Sequence, residues 1–363
     1  MKRQVFKDYQ PEQSFLLPPD ISEMIPEGHL VRVVNKMIDG IDRSILEAQY
    51  KGGGTSAYDP QMLLKVIIYA YTQRIFTSRQ IAKALRENVN FMWLSAMNRP
   101  NFRTINSISK TDPDATFMRM KEDAMRNGQL KAGYNVQLGT QNQYILGYSL
   151  HQRPGDTVCM QAHLEKLYEH MGRYPKDLIA DAGYGSEENY AWLQEKNIEA
   201  YVKYNSFHYE RKRHYKKKHP YRADAFIYHA QEDEYECPEG KRLRFEKEAI
   251  RRTENGYESK RKIYRCDDCS ACPVREQCCK GKGNRQITIG AELEKYRQVA
   301  SDRLESEKGR RYRSKRPVEV EAVFGRLKQN WGFRRFILRG IENVSTEWGI
   351  LSVAHNIAKV AVA

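Results

Sequence analysis

No run of eighteen apolar residues occurs in the chain, so a membrane-spanning helix is not expected. The opening stretch "MKRQVFKDYQPEQ" has no apolar segment of the kind a secretory signal requires, and we expect a cytoplasmic protein. Cysteine is scarce outside one stretch. Six of the seven fall between Cys237 and Cys279, which argues against disulfides spread through a secreted fold, and Cys159 stands alone on an expected helix. No internal repeat is found. Acidic residues are too few to balance the basic ones: 46 Asp and Glu against 61 Lys and Arg leave a formal charge of +15. A polyanion is the natural partner of such an excess, because clustered Lys and Arg gain free energy by displacing counterions from phosphates. What remains is a chain of 363 residues, 40% apolar, long enough for two or three domains with a sizeable core.

Residues 1–106 are expected to be helical. "HLVRVVNKMIDGID" and "PQMLLKVIIYAYTQR" carry apolar residues at helical spacing, and "TSRQIAKALREN" follows a short turn, with Ser78 a candidate cap. Two helices joined by a turn suggest a helix-turn-helix. Arg79, Gln80, Lys83 and Arg86 would then face phosphates or base edges from the second helix. A helical packing module with a solvated basic face fits the same pattern equally well.

Around residue 133 the period changes. "GYNVQLGT" and "YILGYSLHQ" flank Gln141 and Asn142 and predict an antiparallel hairpin; "TVCMQAHLEKLYEHM" is helical, and a strand ends at Asp181. A helix from Glu187 to about Gln194 and a strand "IEAYVKY" complete the order β-β-α-β-α-β. Such alternation predicts a partly parallel sheet covered by helices, with active groups at strand ends. The expected divisions are thus 1–106, 107–204, a basic and Cys-containing insert 205–290, and a helical end 291–363. Within the insert "FHYERKRHYKKKHPYR" interleaves cations and aromatics, so Arg211, Lys212, Arg213, Lys216, Lys217 and Lys218 are candidates for DNA contact, against the plainer reading of a solvated loop. Asn255-Gly256 predicts a tight hairpin turn. His355, inside an apolar helix, is expected to be a core histidine.

One Asp cannot hold a catalytic metal alone. The helix "VEVEAVFGRLKQ" offers Glu321 and Lys328, seven apart and hence on one face two turns along, with Phe324 and Gly325 between them. Solvated charges on an amphipathic helix explain that pattern as well. The stretches "SAYDPQMLLKVIIYAY", "FMWLSAMNRPNFRTIN", "SKTDPDATFMRMKEDAMRNGQLKAGYNVQLGT", "IADAGYGSEENY", "EAYVKYN" and "EAVFGRLKQNWGFRRFILRG" together resemble the DDE transposases of bacterial insertion sequences, in the branch with a helical amino-terminal domain and a cysteine-containing insert.

The resemblance implies an α/β fold, with a ribonuclease-H-like domain after the helical one, in which three carboxylates hold two Mg²⁺ (or Mn²⁺) ions. Asp181 matches the second carboxylate, Glu321 the third, and Lys328 follows on the same helix. Two such metals would activate a water or a DNA 3′-hydroxyl and stabilise the leaving oxygen of a phosphodiester. It also implies double-stranded DNA as partner, the ends of the element in particular, and a homo-oligomer or pairing with a full-length transposase. Where the family often has an Arg four residues before the Glu, this chain has Pro317, with Arg316 one place earlier. The family's first carboxylate, in a stretch like Asp-Gly-Thr on the first and central strand, has no counterpart. "NFRTIN" runs directly into "SISKTDPDATF", as an in-frame deletion near Asn106 and Ser107 would leave it. Asp112, Asp114 and Asp156 are the available substitutes, each more easily explained by local backbone bonding, Asp156 as a helix cap. We expect a shortened, catalytically impaired transposase; a non-catalytic DNA-binding protein, an inhibitor of the full-length enzyme or a decayed product is the alternative.

"CDDCSACPVREQCC" with Cys237 upstream gives spacings that suit one tetrahedral zinc. The ligands chosen are Cys237, Cys269, Cys272 and Cys278, with Cys266 exchangeable for Cys272. Reduced thiols and an iron-sulfur cluster are the competing readings.

Overall fold

In the computed structural model, which describes residues 20–48, 58–102, 112, 114–119, 130–212 and 214–362, helices begin where the sequence supplies a cap. His29 accepts the Val31 N–H and opens α1 (Leu30–Asp39). Asp42 opens α2 (Arg43–Glu47), and Asp59, followed by Pro60 at the first helical position, opens α3 (Pro60–Thr72). Thr77, rather than the expected Ser78, caps α4 (Ser78–Glu87), and Asn88 caps α5 (Val89–Leu94). Ser78 is buried instead.

The chain forms two compact units, Met1–Pro113 with Arg326–Ala363, and Asp114–Gly325. The segment expected to close the catalytic domain, 291–363, is therefore shared between them. The first unit buries Val31, Val34 and Ile38 of α1, Val66 and Tyr69 of α3, and Leu85 of α4. Its C-terminal helix, Ile341–Val360, lies against α3 and buries Val344, Trp348, Leu351 and Ile357, with His355 in the core as expected. Each such aliphatic side chain contributes roughly 1.5–3 kcal/mol. One buried charge is built into this core. Glu347, 0% exposed, accepts the Ile337 and Leu338 N–H groups at 3.0–3.1 Å and the Tyr71 hydroxyl at 3.3 Å. Burial raises its pKa, while those three donors pull it the other way.

The second unit contains β1 (Thr116–Arg119), paired with β2 (Leu130–Gly133), and the expected hairpin of β3 (Asn135–Gln141) and β4 (Tyr144–His151). Its turn residues Asn142 and Gln143 both have positive φ, 51° and 62°, as a primed two-residue hairpin turn requires. The helix α6 (Met160–Met171) follows a short turn Thr157–Cys159. Beneath the hairpin, the Ser149 hydroxyl sits 2.8 Å from His151 Nε2 and 2.9 Å from His163 Nδ1, joining β4 to α6. β5 (Asp177–Ala180) and β6 (Glu199–Val202) are parallel and are connected by α7 (Glu187–Glu195), which Ser186 caps. Leu164, Tyr190, Leu193, Val202 and Ala300 of α8 (Ala291–Glu305) form the core over this pair.

The hairpin β3–β4 and the pair β5–β6 are separate two-stranded sheets, and among the described residues no strand joins them. The 205–290 segment, read from sequence as a basic insert, contains a five-stranded antiparallel sheet in the order β11-β10-β9-β8-β7: β7 (Ile227–His229), β8 (Glu234–Glu236), β9 (Arg242–Arg252), β10 (Glu258–Cys266) and β11 (Gln286–Ile289). The expected Asn255-Gly256 turn connects β9 and β10, with Gly256 at φ 88°. After α9 (Glu307–Arg316) the chain stays helical but winds more loosely, as a π-turn over Pro317–Glu321 and a second over Arg326–Asn330.

Candidate carboxylate site

Asp181 stands one residue beyond β5, at the head of the turn Ala182–Tyr184. The turn is fixed from several sides. A Cβ on Gly185 would fall 2.3 Å from the Lys203 carbonyl oxygen, so only glycine lets the loop lie against the end of β6. Thr157 Oγ1 donates to the Gly183 carbonyl at 2.6 Å, and the Asn189 amide donates to the Thr157 and Tyr184 carbonyls. The Tyr184 hydroxyl donates to Gln137 Oε1 of β3, which ties the Asp181 loop to the hairpin. Burial, with the Asp156 carboxylate nearby, pushes that tyrosine's pKa up.

Glu321 closes the first π-turn, and Arg316 joins it to Asp181. The Arg316 guanidinium places Nη2 2.6 Å from Asp181 Oδ2 and donates from Nη1 to Glu321 Oε1 at 3.1 Å. Its side chain is 12% exposed, against 48% and 63% for the two carboxylates. The five-residue spacing from Arg316 to Glu321 works because the winding is π: the Ala322 N–H donates to the Pro317 carbonyl, five residues back. Pro317 opens this turn, and because it lacks an N–H it ends the hydrogen-bond ladder of α9 at Arg316. Glu319, on the same turn, accepts the Gln143 N–H of the hairpin turn at 2.8 Å, anchoring the segment to β3–β4.

Asp181 and Glu321 are thus brought together, with Arg316 as the residue that α-helical spacing leaves aside. Among the described residues no group of three His, Cys, Asp or Glu side chains could hold a metal ion, so the site as built does not fit a three-carboxylate metal pair. Asp112 accepts the Gly340 N–H in the helical unit, and the Asp114 carbonyl accepts from Gln152. Asp156 does not cap a helix as expected: its carboxylate accepts from the Asn135 and Gln137 amides of β3, because the hairpin offers it two donors. Lys328 is exposed on the second π-turn, which belongs to the first compact unit. The junction residues Asn106 and Ser107 lie outside the described residues.

The outer face of α4 carries Arg79, Gln80, Lys83 and Arg86, all exposed, while Ile81 and Leu85 are buried. In the basic run, Arg211 is occupied within its own unit: it binds Glu305 and Ser301 and lies 3.7 Å over the Phe207 ring. Lys212 is exposed; Lys216, Lys217 and Lys218 fall on the short helix Tyr215–Lys218; Arg213 lies outside the described residues. Burial and the cations Lys203, Arg313 and Arg211 hold the His208 pKa down beside Asp181.

Five cysteines, Cys237, Cys266, Cys269, Cys272 and Cys278, line one cavity of about 20 Å³, enough for a single water-sized guest. Cys266 and Cys269 are buried and pack with Cys237 and Cys278. Burial and the neighbouring thiol of Cys269 raise the Cys266 pKa to about 12. Cys279 turns away, toward the Gly283 carbonyl.

Comparison with known families agrees on the class of protein. Residues 19–111 match the Transposase domain (DUF772), and residues 236–361 match the Transposase DDE domain. Both are transposase domains, and with the second of the DDE kind the chain is an insertion-sequence DDE transposase. Glu321, Lys328 and the six clustered cysteines fall within the DDE match, whereas Asp181 lies in the stretch between the two. Membership implies DNA as the partner and a divalent metal as the general cofactor of the family. No curated protein and no solved structure matches the chain. Among the described residues no helix is long and apolar enough to cross a membrane.

Proposed function

We propose that this transposase is a shortened form that binds the ends of its element, in the cytoplasm, without cutting them. The observation that carries the reading is the split sheet. In a ribonuclease-H-like arrangement the first strand is central, so its loss near Asn106 and Ser107 would leave the hairpin and the parallel pair without a common neighbour. Two separate two-stranded sheets are what such a loss produces. The same strand would have carried the first carboxylate. Mg²⁺ or Mn²⁺ is the ion the resemblance assigns to Asp181 and Glu321; Arg316 contacts both, and among the described residues no third carboxylate joins them.

DNA binding is assigned to the outer face of α4, with Lys212 and Lys216–Lys218 as further contacts and Lys328 as a candidate phosphate contact. The open strand edges favour pairing with a second copy or a full-length transposase. We assign one Zn²⁺ per chain to the thiol cavity, with Cys237, Cys269, Cys278 and either Cys272 or Cys266 as ligands; as they stand no three of these thiols are placed to hold an ion, so the sulfurs would have to close on it.

The test uses duplexes cut from the repeats flanking the gene. The purified chain should shift them, with affinity falling steeply in salt, and should neither nick nor join them in Mg²⁺ or Mn²⁺. Replacing Arg79, Lys83 and Arg86 by Ala should weaken binding, and the slope of log affinity against log salt should become shallower by about one for each phosphate partner removed. Inserting a family-like segment between Asn106 and Ser107 should restore cleavage. Cleavage by the chain as it stands, abolished by Asp181→Ala, would overturn the proposal.

A further inference from the structure

Beyond the question of cleavage, the geometry points to Arg316 as the resident cation of the carboxylate pair: its guanidinium takes the place a divalent ion would need. The inference deepens the reading above and rests on it only in taking Asp181 and Glu321 as the pair such an ion would use.

Three observations support it. The guanidinium contacts one oxygen of each carboxylate, at 2.6 and 3.1 Å, so it is shared between them rather than paired with one. It is far less exposed than either partner, and its Nε is buried without a hydrogen bond, so the group is held by its two Nη contacts. Its backbone is pinned from the other side of the turn, where Glu319 accepts from the β3–β4 hairpin. A divalent ion approaching Asp181 and Glu321 would meet a fixed positive charge already in contact with both, and the triad's net charge of −1 would draw it weakly. With a neutral side chain at 316 the pair would carry −2, which attracts a hard cation through oxygen ligands. Lysine is not equivalent, because an ammonium lacks the planar fork that reaches two carboxylates at once.

Mn²⁺ alone is the probe, titrated into the full chain and followed by electron paramagnetic resonance, with circular dichroism to establish folding. The unaltered chain should bind Mn²⁺ no more tightly than its D181N variant, because Arg316 closes the pair. R316Q should bind Mn²⁺ about tenfold more tightly, the effect of removing one contacting charge at a partly exposed site, and R316Q/D181N should lose that gain. Two results would overturn the inference: Mn²⁺ binding by the unaltered chain that D181N removes, or a folded R316Q with no gain. The first needs no change at Arg316, so the inference stays testable even where R316Q does not fold. Because metal binding is read without DNA, failure here is separable from failure of the non-cleaving reading, which is decided by strand cleavage.

Discussion

His163 makes the stability of the second unit depend on pH in a calculable way. The ring is buried between α6 and the hairpin, with Nδ1 on the Ser149 hydroxyl, and its pKa is pushed down to about 4, by burial first and then by His151 and Lys166. An imidazole free in the unfolded chain titrates near 6.5. Because the folded value is the lower one, the unfolded chain takes up the proton first as pH falls. The contribution is therefore fully present above about pH 6.5 and is lost progressively toward pH 4. Between about pH 7.5 and about pH 4.5 the two values imply a loss of about 2.5 kcal/mol from this residue alone. Urea denaturation at several pH values, on the unaltered chain and on His163→Gln, isolates it. The variant should be less stable at neutral pH, since the imidazole packing and its bond to Ser149 are gone, and the gap should narrow by about 2.5 kcal/mol on acidification. Parallel curves for the two proteins would refute the reasoning. His151, whose pKa burial also lowers, shares Ser149 and adds to the same trend in both proteins. The effect reaches the carboxylate site, because the hairpin beneath which His163 is buried holds Tyr184 through Gln137 and Glu319 through Gln143.

Glu347→Ala should destabilise the helical unit by about 3 kcal/mol or more, since the Ile337 and Leu338 N–H groups and the Tyr71 hydroxyl lose their acceptor at about 1–3 kcal/mol each. Glu347→Gln, which keeps an acceptor oxygen, should cost less, and thermal denaturation of both variants checks the order. Metal analysis of protein never exposed to chelator should find about one zinc per chain. Cys269→Ser should abolish it, whereas Cys159→Ser should leave it unchanged; neither zinc nor iron in the unaltered protein would remove the metal reading of the cysteines.

Features governed by local chemistry were legible in the sequence. The helices of the first unit, the hairpin turn at Asn142, the strand ending before Asp181 and the Asn255-Gly256 turn follow from capping residues, period and turn preference. The five-stranded sheet was not legible, and β9 explains why: "RLRFEKEAIRR" buries Leu243 and leaves most of its other side chains in water, so no apolar alternation marks it. Its stability comes from pairing with β10, a partner that periodicity within one segment does not reveal. Arg316 was visible as an arginine one place off the family spacing, but its contacts with both carboxylates were not, for a different reason. Counting in steps of 3.6 puts residues 316 and 321 on different faces, and only the proline at 317 signals that the count is broken there. The choice between Cys266 and Cys272 was undetermined because each is separated from Cys269 by two residues, and the fold packs Cys266 beside it while leaving Cys272 on the cavity wall.

The π-turn also makes the carboxylate site sensitive to length as well as to composition. Losing a single codon anywhere between Val318 and Val320 would let the segment rewind as an α-helix, and the chemistry of every remaining side chain would be unaltered. In that rewound helix Arg316 would stand four residues before the glutamate, the spacing that keeps two side chains on one α-helical face, so the extra residue is what the wider turn absorbs. A three-base deletion there would thus leave the ion triad standing, whereas a three-base insertion would put the arginine six residues from the glutamate and turn the two apart.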